Sequence, residues 1–304
     1  MTYFLFFLGL VALFVGGEFL VRGAVGVARR FHVPPLIIGL TVVGFGTSTP
    51  ELLVSVQAAL GGVPALALGN IIGSNIANIL LILGATALIM PVPLPLKGME
   101  RDFATVIGAT LLLWAMLAGG TVSRLEGGIL VVGLIAYLTM SLRGAAGSAI
   151  PEHGESFSVP LWNSLGYALA GLIILMVGAH LLVENASVIA RSFGVSEAVI
   201  GLSIVAIGTS LPELATSVMA AFRGHPEIGV GNILGSCIFN ILGILGITAL
   251  VTPIPVDPRF AGLDMGLAMA SALAMLAFSA LPGRIGRIGA VALLVTYGGY
   301  MSML

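Results

Sequence analysis

The sequence contains little charge for its length. Asp, Glu, Lys and Arg make up only 8% of its 304 residues, and the formal net charge is −1. A soluble domain typically has about 25% charged residues. With no run of basic residues and a net charge near zero, the composition argues against a nucleic-acid-binding protein.

Cysteine and histidine are also scarce. The single cysteine, Cys237, excludes an internal disulfide and a Cys-rich metal site. The four histidines, at positions 32, 153, 180 and 225, form no His-Glu-x-x-His motif, which argues against an intramembrane metalloprotease. We therefore expect neither an enzyme nor a bound cofactor.

Apolar sequence is abundant instead. Hydrophobic residues make up 58% of the chain. They fall in runs of roughly 20 residues, the length that crosses a hydrocarbon core about 30 Å thick. We predict an all-α polytopic membrane protein; a soluble bundle with an unusually apolar core is the alternative. The first residues lack a positively charged segment, so we expect a retained first span and not a cleaved signal peptide. About ten transmembrane helices are predicted, over 3–28, 35–60, 64–90, 102–119, 125–142, 160–190, 197–221, 227–251, 261–280 and 286–303.

Positive charge predicts the orientation of these spans. If the N terminus is outside, the cytoplasmic side holds eight basic residues, namely Arg29, Arg30, Lys97, Arg101, Arg143, Arg223, Arg284 and Arg287. The opposite side then holds three, Arg124, Arg191 and Arg259. The positive-inside rule therefore favours both termini outside the cytoplasm, in a cell inner (plasma) membrane.

The chain repeats itself at an offset of 162 residues, the difference between Glu213 and Glu51. Residues 39–84 and 201–246 share 27 identities over 46 aligned positions. Each half has five predicted spans, an odd number, so the second half must enter the membrane from the opposite side. We predict two inverted-topology five-helix repeats, 1–142 and 160–304, joined by a central loop, 143–159. In such proteins the substrate site lies at the repeat interface, near the membrane midplane.

The most similar parts of the two halves carry a carboxylate inside an apolar span. "GTSTPELLVS" contains Glu51, and "GTSLPELATS" contains Glu213. Pro50 and Pro212 each remove a backbone N–H and crowd the glycine four residues earlier, so helices 2 and 7 are predicted to be broken. The glutamates could be hydrogen-bonding struts, but a duplicated charge at membrane depth favours a functional site.

Spans 3 and 8 supply a second polar motif. In "GNIIGSNIANILLILG" the side chains of Asn70, Ser74 and Asn78 share one helix face, because they are spaced four residues apart. "GNILGSCIFNILGILG" repeats the pattern with Asn232, Ser236 and Asn240. Together the motifs offer hard oxygen donors, which suit Ca²⁺ and Na⁺ better than the soft-ligand metals. Two carboxylates neutralise one divalent cation, which favours Ca²⁺ over a purely monovalent site.

These paired motifs resemble the two alpha repeats of the calcium/cation antiporter superfamily, in its prokaryotic Na⁺/Ca²⁺ exchanger-like branch. The resemblance covers essentially the whole chain. It implies that spans 1 and 6 slide across the other eight to alternate access. It also implies a metal-binding set for the transported ions, made of Glu51, Glu213, Thr47, Ser48, Thr209, Ser210, Ser74, Ser236, Asn78, Asn240 and the backbone oxygens of Gly44 and Ala206.

The sequence departs from the family pattern at two places. Asn78 and Asn240 are both asparagine where relatives often have one aspartate, so the site has two ionisable groups and not three. Cys237 stands where the first repeat has Asn75, and because a thiol is a weak acceptor we expect it to pack and not to ligate. The two asparagines leave the coupling ion and the stoichiometry open. Proton-coupled calcium exchangers have an acidic residue after a Gly-Asn motif in these helices, and its absence from this sequence mildly favours sodium coupling.

Spans 1 and 6 carry further polar residues. Glu18 and Arg22 are four residues apart, which predicts an intrahelical ion pair or, alternatively, groups that face the access pathways. At the repeat-related positions of span 6 stand His180 and Glu184. In span 1, the small residues near Glu18 and Arg22 make a smooth helix face; they are Gly16, Gly17, Gly23 and Ala24.

The sequence thus predicts a secondary antiporter that exchanges Ca²⁺ for Na⁺ and works as a monomer. A Ca²⁺/H⁺ antiporter with the two glutamates as proton carriers is the first alternative. A passive cation channel is a further alternative, which would show flux without a counter-ion.

Overall fold

The fold is described from a computed structural model of the chain, which covers residues 1–145, 160–194, 206–281 and 283–303. The all-α architecture is confirmed. The first half contains α1 (Thr2–Phe31), α2 (Pro35–Thr47), α3 (Thr49–Leu60), α4 (Pro64–Ile89), α5 (Glu100–Leu117) and α6 (Arg124–Ala145). The second half contains α7 (Leu161–Ser192), α8 (Ala206–Gly208), α9 (Leu211–Phe222), α10 (Pro226–Val251), α11 (Phe260–Ala280) and α12 (Arg287–Met301).

The helices agree closely with the predicted spans. Among the described residues, six helices are long and apolar enough to cross a membrane by themselves: α1, α4, α6, α7, α10 and α11. The pair α2–α3, bent by 43° at its junction, gives a seventh candidate. The other three predicted spans coincide with α5, α12 and the α8–α9 pair. These helices are shorter or carry more charged residues than the seven spanning candidates. Residues 197–205 of predicted span 7 and most of the central loop, 143–159, lie outside the described residues.

Both predicted helix breaks are found next to the glycine and proline residues from which they were predicted. α2 ends at Thr47 and α3 begins at Thr49, with Ser48 between them at φ −85°, ψ 8°. In the second half Ser210 has nearly the same backbone angles, φ −91°, ψ 6°, and directly precedes α9. In each case the proline occupies the first turn of the new helix, where its missing N–H has no partner to lose.

Two short strand pairs show that the repeats are inverted. β1 (Val92–Pro93) precedes α5 and β2 (Thr121–Val122) follows it, so they lie at opposite ends of that helix. β3 (Ile254–Pro255) and β4 (Arg284–Ile285) flank α11 in the same way. β1 pairs antiparallel with β4, and β2 with β3. Because Val92 and Ile254 are related by the 162-residue offset, equivalent segments of the two halves lie at opposite ends of the molecule.

The apolar interior is divided into two main clusters. The larger one is built from α4, α5, α6, α10, α11 and α12 around residues such as Ile76, Phe103 and Ile244. The second joins α1 and α7 to faces of α2, α9 and α10, around Leu20 and Leu175. The α1–α7 pair approaches very closely, since a Cβ on Gly23 would clash with the backbone nitrogen of Ala168.

Candidate cation-binding site

The broken helices put both carboxylates at helix N termini. Glu51 is the third residue of α3, and Glu213 is the third residue of α9. The first turn of a helix has free N–H groups and a partial positive charge, which favours a carboxylate there. Each glutamate is only 1% exposed. Each repeat therefore places a buried carboxylate in the first turn of the helix that follows its break.

Each carboxylate is held by hydroxyl groups from the other repeat. Ser48 donates its Oγ hydrogen to Glu213 Oε1 at 2.9 Å, and Ser210 donates to Glu51 Oε1 at 3.5 Å. The threonine beside each serine, Thr47 or Thr209, also contacts the opposite glutamate. The two halves of the chain thus meet at a reciprocal set of contacts around Glu51 and Glu213.

Two asparagines fix the helices that carry these carboxylates. Asn70 Nδ2 donates to the Glu51 carbonyl at 3.2 Å and to Ser55 Oγ at 3.0 Å. Asn232 Nδ2 makes the equivalent bonds, to the Glu213 carbonyl at 3.2 Å and to Ser217 Oγ at 3.0 Å. Asn232 also accepts a hydrogen bond from Thr47 Oγ1 at 3.0 Å. These amide hydrogen bonds hold α3 against α4 and α9 against α10.

Two serines that accept these amide hydrogen bonds, Ser55 and Ser217, were not among the predicted site residues. Ser55 and Ser217 are fully buried. The signal that could have found them is their identity in the two repeats at the 162-residue offset.

Four of the buried side-chain oxygens without a hydrogen-bond partner belong to the two repeated motifs. Within the described part of the chain, Glu51 Oε2, Glu213 Oε2, Asn78 Oδ1 and Asn240 Oδ1 are all without a partner. Asn78 and Asn240 are each 1% exposed. Burial of an unpaired polar atom costs about 1–3 kcal/mol, and more for a charged one. Each repeat contributes two such atoms, related by the same offset, and oxygen atoms of this kind could hold a cation.

The donor chemistry suits a hard cation. Among the described residues no Lys or Arg pairs with Glu51 or Glu213, and no group of three or more His, Cys, Asp and Glu side chains could hold a metal. The site offers carboxylate, amide and hydroxyl oxygens instead, which bind alkali and alkaline-earth cations rather than soft transition metals.

Of the remaining predicted ligands, Ser236 and Gly44 contact each other across the two repeats. Ser236, fully buried, donates to the Gly44 carbonyl at 3.3 Å, and the Ser48 N–H donates to the same carbonyl at 3.2 Å. Ser74 is 5% exposed, and Ala206 is the first residue of α8.

Comparison with known proteins agrees with this arrangement. The family described as sodium/calcium exchanger protein matches residues 1–143 and 163–304. The protein belongs to the sodium/calcium exchanger family. It is therefore a membrane antiporter by family, and the superfamily predicted from the paired motifs is confirmed.

Individual relatives span almost the whole exchanger. It is 38% identical to the putative antiporter CaxA of Alkalimonas amylolytica, over 97% of this chain and 96% of the relative. It is 30% identical to the sodium/calcium exchanger MaX1 of Methanosarcina acetivorans, over 100% and 98% of the two chains. A solved structure of the sodium-calcium exchanger NCX_Mj, soaked with 2.5 mM Na⁺ and 10 mM Sr²⁺, superposes with a TM-score of 0.87 at 33% identity, over 100% of this chain and 98% of that one. The predicted fold class is confirmed by that superposition.

Proposed function

We propose that this exchanger moves Ca²⁺ across the membrane in exchange for Na⁺, with the cations bound between the two repeats near the membrane midplane. One observation carries the proposal. Glu51 and Glu213 are each bonded through Oε1 to a serine of the opposite repeat, while Oε2 of each is buried with no partner among the described residues. A cation between the repeats would satisfy both free oxygens at once.

The number and charge of the donors favour Ca²⁺. Ca²⁺ takes six to eight oxygen ligands at about 2.3–2.6 Å in flexible geometry. The site supplies that many: two carboxylates, two amide oxygens and the four hydroxyls of Thr47, Ser48, Thr209 and Ser210. The ligand set that we propose consists of these groups together with Ser74, Ser236 and the backbone of Gly44 and Ala206. The two negative charges balance one divalent ion.

Na⁺ is the proposed coupling ion. Hard oxygen donors in smaller groups satisfy Na⁺, and the relative MaX1 is named a sodium/calcium exchanger. The absence of an Asp at Asn78 or Asn240 leaves only two groups that could carry protons.

Ca²⁺/H⁺ exchange is the second candidate, and one observation favours it. Neither buried carboxylate pairs with a Lys or Arg in the described part of the chain. When no metal ion is bound, two protons could neutralise them instead.

For alternating access, we propose that α1 and α7 move as one unit against the rest of the molecule. These two helices share their own apolar cluster, and glycines let their backbones come close together. We further propose that the protein lies in the cell inner membrane with both termini outside the cytoplasm. The relative YrbG of Escherichia coli, 37% identical over 84% of this chain and 81% of its own length, is named an inner membrane protein. One chain supplies both halves of the site, which supports a working monomer.

The test is ⁴⁵Ca²⁺ uptake into proteoliposomes loaded with Na⁺, compared with K⁺-loaded and acid-loaded vesicles. Uptake that requires internal Na⁺ supports the proposal. Uptake driven by an outward proton gradient alone would replace it with Ca²⁺/H⁺ exchange. Uptake without any counter-ion would identify a passive channel.

A further inference from the structure

Where α4 and α10 cross, a second set of polar side chains lies behind the amide ligands. Asn75 and Cys237 occupy equivalent positions of the two repeats, and both are buried. Asn75 Nδ2 donates to the Cys237 carbonyl at 3.2 Å, and the Cys237 thiol lies 4.0 Å from the Asn75 carbonyl. Each side chain therefore reaches across the pseudo-twofold axis to the backbone of the other.

The donor and acceptor roles in these hydrogen bonds determine the orientation of the Asn240 side-chain amide. A backbone carbonyl can only accept, so Asn75 must present its Nδ2 to Cys237 and its Oδ1 to the other side. That Oδ1 accepts from Asn240 Nδ2 at 3.0 Å. The Oδ1 atom of Asn240 is consequently turned the other way, and it is buried without a partner among the described residues.

The equivalent arrangement around Asn78 is weaker. The Cys237 thiol has the Asn75 carbonyl as its acceptor, and its sulfur in turn contacts the side chain of Asn78. Sulfur is a weak hydrogen-bond acceptor, whereas an amide oxygen is a strong one. Asn78 thus has a sulfur neighbour where Asn240 has an amide oxygen at 3.0 Å, although the two side chains are identical.

We propose that Asn75 and Cys237 are positioning residues, which turn the Oδ1 atoms of Asn240 and Asn78 toward the cation site. The difference between them makes the two halves of the site unequal, with Asn240 the more rigidly held ligand. Groups that orient metal ligands typically change metal affinity by about 10- to 100-fold when they are removed. This inference rests on the proposed binding of Ca²⁺ between the repeats.

The first test is Asn75→Ala, assayed by ⁴⁵Ca²⁺ equilibrium binding to purified protein and by Ca²⁺/Ca²⁺ self-exchange in proteoliposomes. Self-exchange needs no coupling ion, so its result is independent of whether Na⁺ or H⁺ is used. We expect the Kd and the KM for Ca²⁺ to rise by about 10-fold or more, with a smaller change in maximal rate. In an Asn240→Ala background the same substitution should have almost no further effect, because Asn75 acts through Asn240.

The second test is Cys237→Ser, which keeps a small hydrogen-bond donor and replaces sulfur with a stronger acceptor. We expect it to tighten Ca²⁺ binding, and we expect this gain to disappear in an Asn78→Ala background. A purely structural role of Cys237 would not produce tighter binding. Thermal melting curves show that each variant is folded.

The outcomes separate the two proposals. A wild-type protein that neither binds nor self-exchanges Ca²⁺ contradicts the proposed function itself. A wild-type protein that does both, with unchanged affinity in Asn75→Ala and in Cys237→Ser, overturns only the positioning roles. An Asn75→Ala effect that is equally large in the Asn240→Ala background also overturns them.

Discussion

At the scale of single residues, the candidate site is marked by two buried carboxylates that have no Lys or Arg partner within the described residues. Charged groups at membrane depth are costly, and they usually pair with each other or line an ion pathway. In the described part of the chain, the Glu51 and Glu213 carboxylates accept hydrogen bonds from the neutral hydroxyls of Ser210 and Ser48. The cost of burying two negative charges is offset if the transported cation supplies the positive charge.

Removing either carboxylate charge is expected to abolish Ca²⁺ transport. At an effective dielectric constant of about 20, two unit charges 4 Å apart attract each other by about 4 kcal/mol. We therefore expect Glu51→Gln and Glu213→Gln each to weaken ⁴⁵Ca²⁺ binding at least about 100-fold, and the double variant to show none. Glu227→Gln, at an exposed position in the first turn of α10, is the matched control. Wild-type affinity in either single variant of the site would contradict its role as a ligand.

The two serine bonds predict an asymmetry between the repeats. Ser48 lies 2.9 Å from Glu213, whereas Ser210 lies 3.5 Å from Glu51. Hydrogen bonds to charged groups contribute about 1.5–3 kcal/mol. We expect Ser48→Ala to weaken Ca²⁺ binding by roughly 10-fold, and Ser210→Ala by less. Thr49→Ala should bind Ca²⁺ normally, since its hydroxyl donates to the Phe45 carbonyl at 3.1 Å. Equal effects of the two serine variants would show that the difference in distance has no energetic consequence.

Sequence patterns predicted the chemistry of the site better than its supporting contacts. The duplicated Glu, Ser and Asn residues indicated two carboxylates among oxygen donors, because residue type and spacing determine that chemistry. The hydrogen bond that Asn240 Nδ2 donates to Asn75 Oδ1 could not be predicted in the same way. It depends on the register of α4 against α10, and the Asn-to-Cys mismatch indicated only packing.

At the scale of helices, the close approach of α1 and α7 depends on glycine. A Cβ at Gly23 would meet the backbone of Ala168 and the Ser164 carbonyl, and a Cβ at Gly171 would meet the backbone of Leu20. The sequence predicted a smooth small-residue face on α1. It did not identify the partner helix, because small residues permit close packing without specifying what packs there.

Substituting one of these glycines is expected to separate the two helices. We expect Gly23→Ala to destabilise the protein by about 1–3 kcal/mol, since overpacking a close contact costs that much, and to lower its melting temperature in detergent. Gly166→Ala is the matched control on α7, because a Cβ there meets nothing within 4 Å. The control should be neutral or slightly stabilising, since alanine favours a helix over glycine. A Gly23→Ala protein as stable as this control would contradict the close packing of α1 on α7.

One ion pair shows where local sequence rules fail. The spacing of Glu18 and Arg22 predicted an intrahelical pair, but the structure pairs Glu18 with Arg223 at 2.5 Å, while Arg22 stacks over the Tyr167 ring. On α7, His180 and Glu184 do pair along the helix, at 3.5 Å. Arg223 is absent from the first repeat, where Gly61 occupies the equivalent position. A partner 205 residues away follows from tertiary packing, which a four-residue spacing does not encode.

At the scale of the whole molecule, the inverted repeat explains why one short motif builds a complete site. Antiparallel strands β1 and β4 join loops from opposite halves, and β2 and β3 do the same at the other end of α5 and α11. The two Pro-Glu helices therefore approach the centre from opposite sides and present equivalent atoms to each other. The odd number of spans per repeat was sufficient to predict this inversion from the sequence.

The proposed orientation can be tested by cysteine labelling. In a Cys237→Ser background, single cysteines at Lys97 and Arg284 should react with a membrane-impermeant thiol reagent only after cells are permeabilised. Cysteines at Thr121 and Arg259 should react in intact cells, because their loops lie at the opposite end of the molecule. The reverse pattern would place both termini in the cytoplasm, and reaction of Lys97 and Thr121 from the same side would contradict the fold.

The most direct test of the central claim is a crystal structure of the protein soaked with Sr²⁺, a heavier analogue of Ca²⁺ that is visible by its anomalous scattering. Cation binding between the repeats predicts an anomalous peak between Glu51 Oε2 and Glu213 Oε2, with the Oδ1 atoms of Asn78 and Asn240 turned toward it. The peak should be lost in the Glu51→Gln/Glu213→Gln protein. A strong peak elsewhere, or one that persists in that double variant, would show that the two buried carboxylates do not form the cation site.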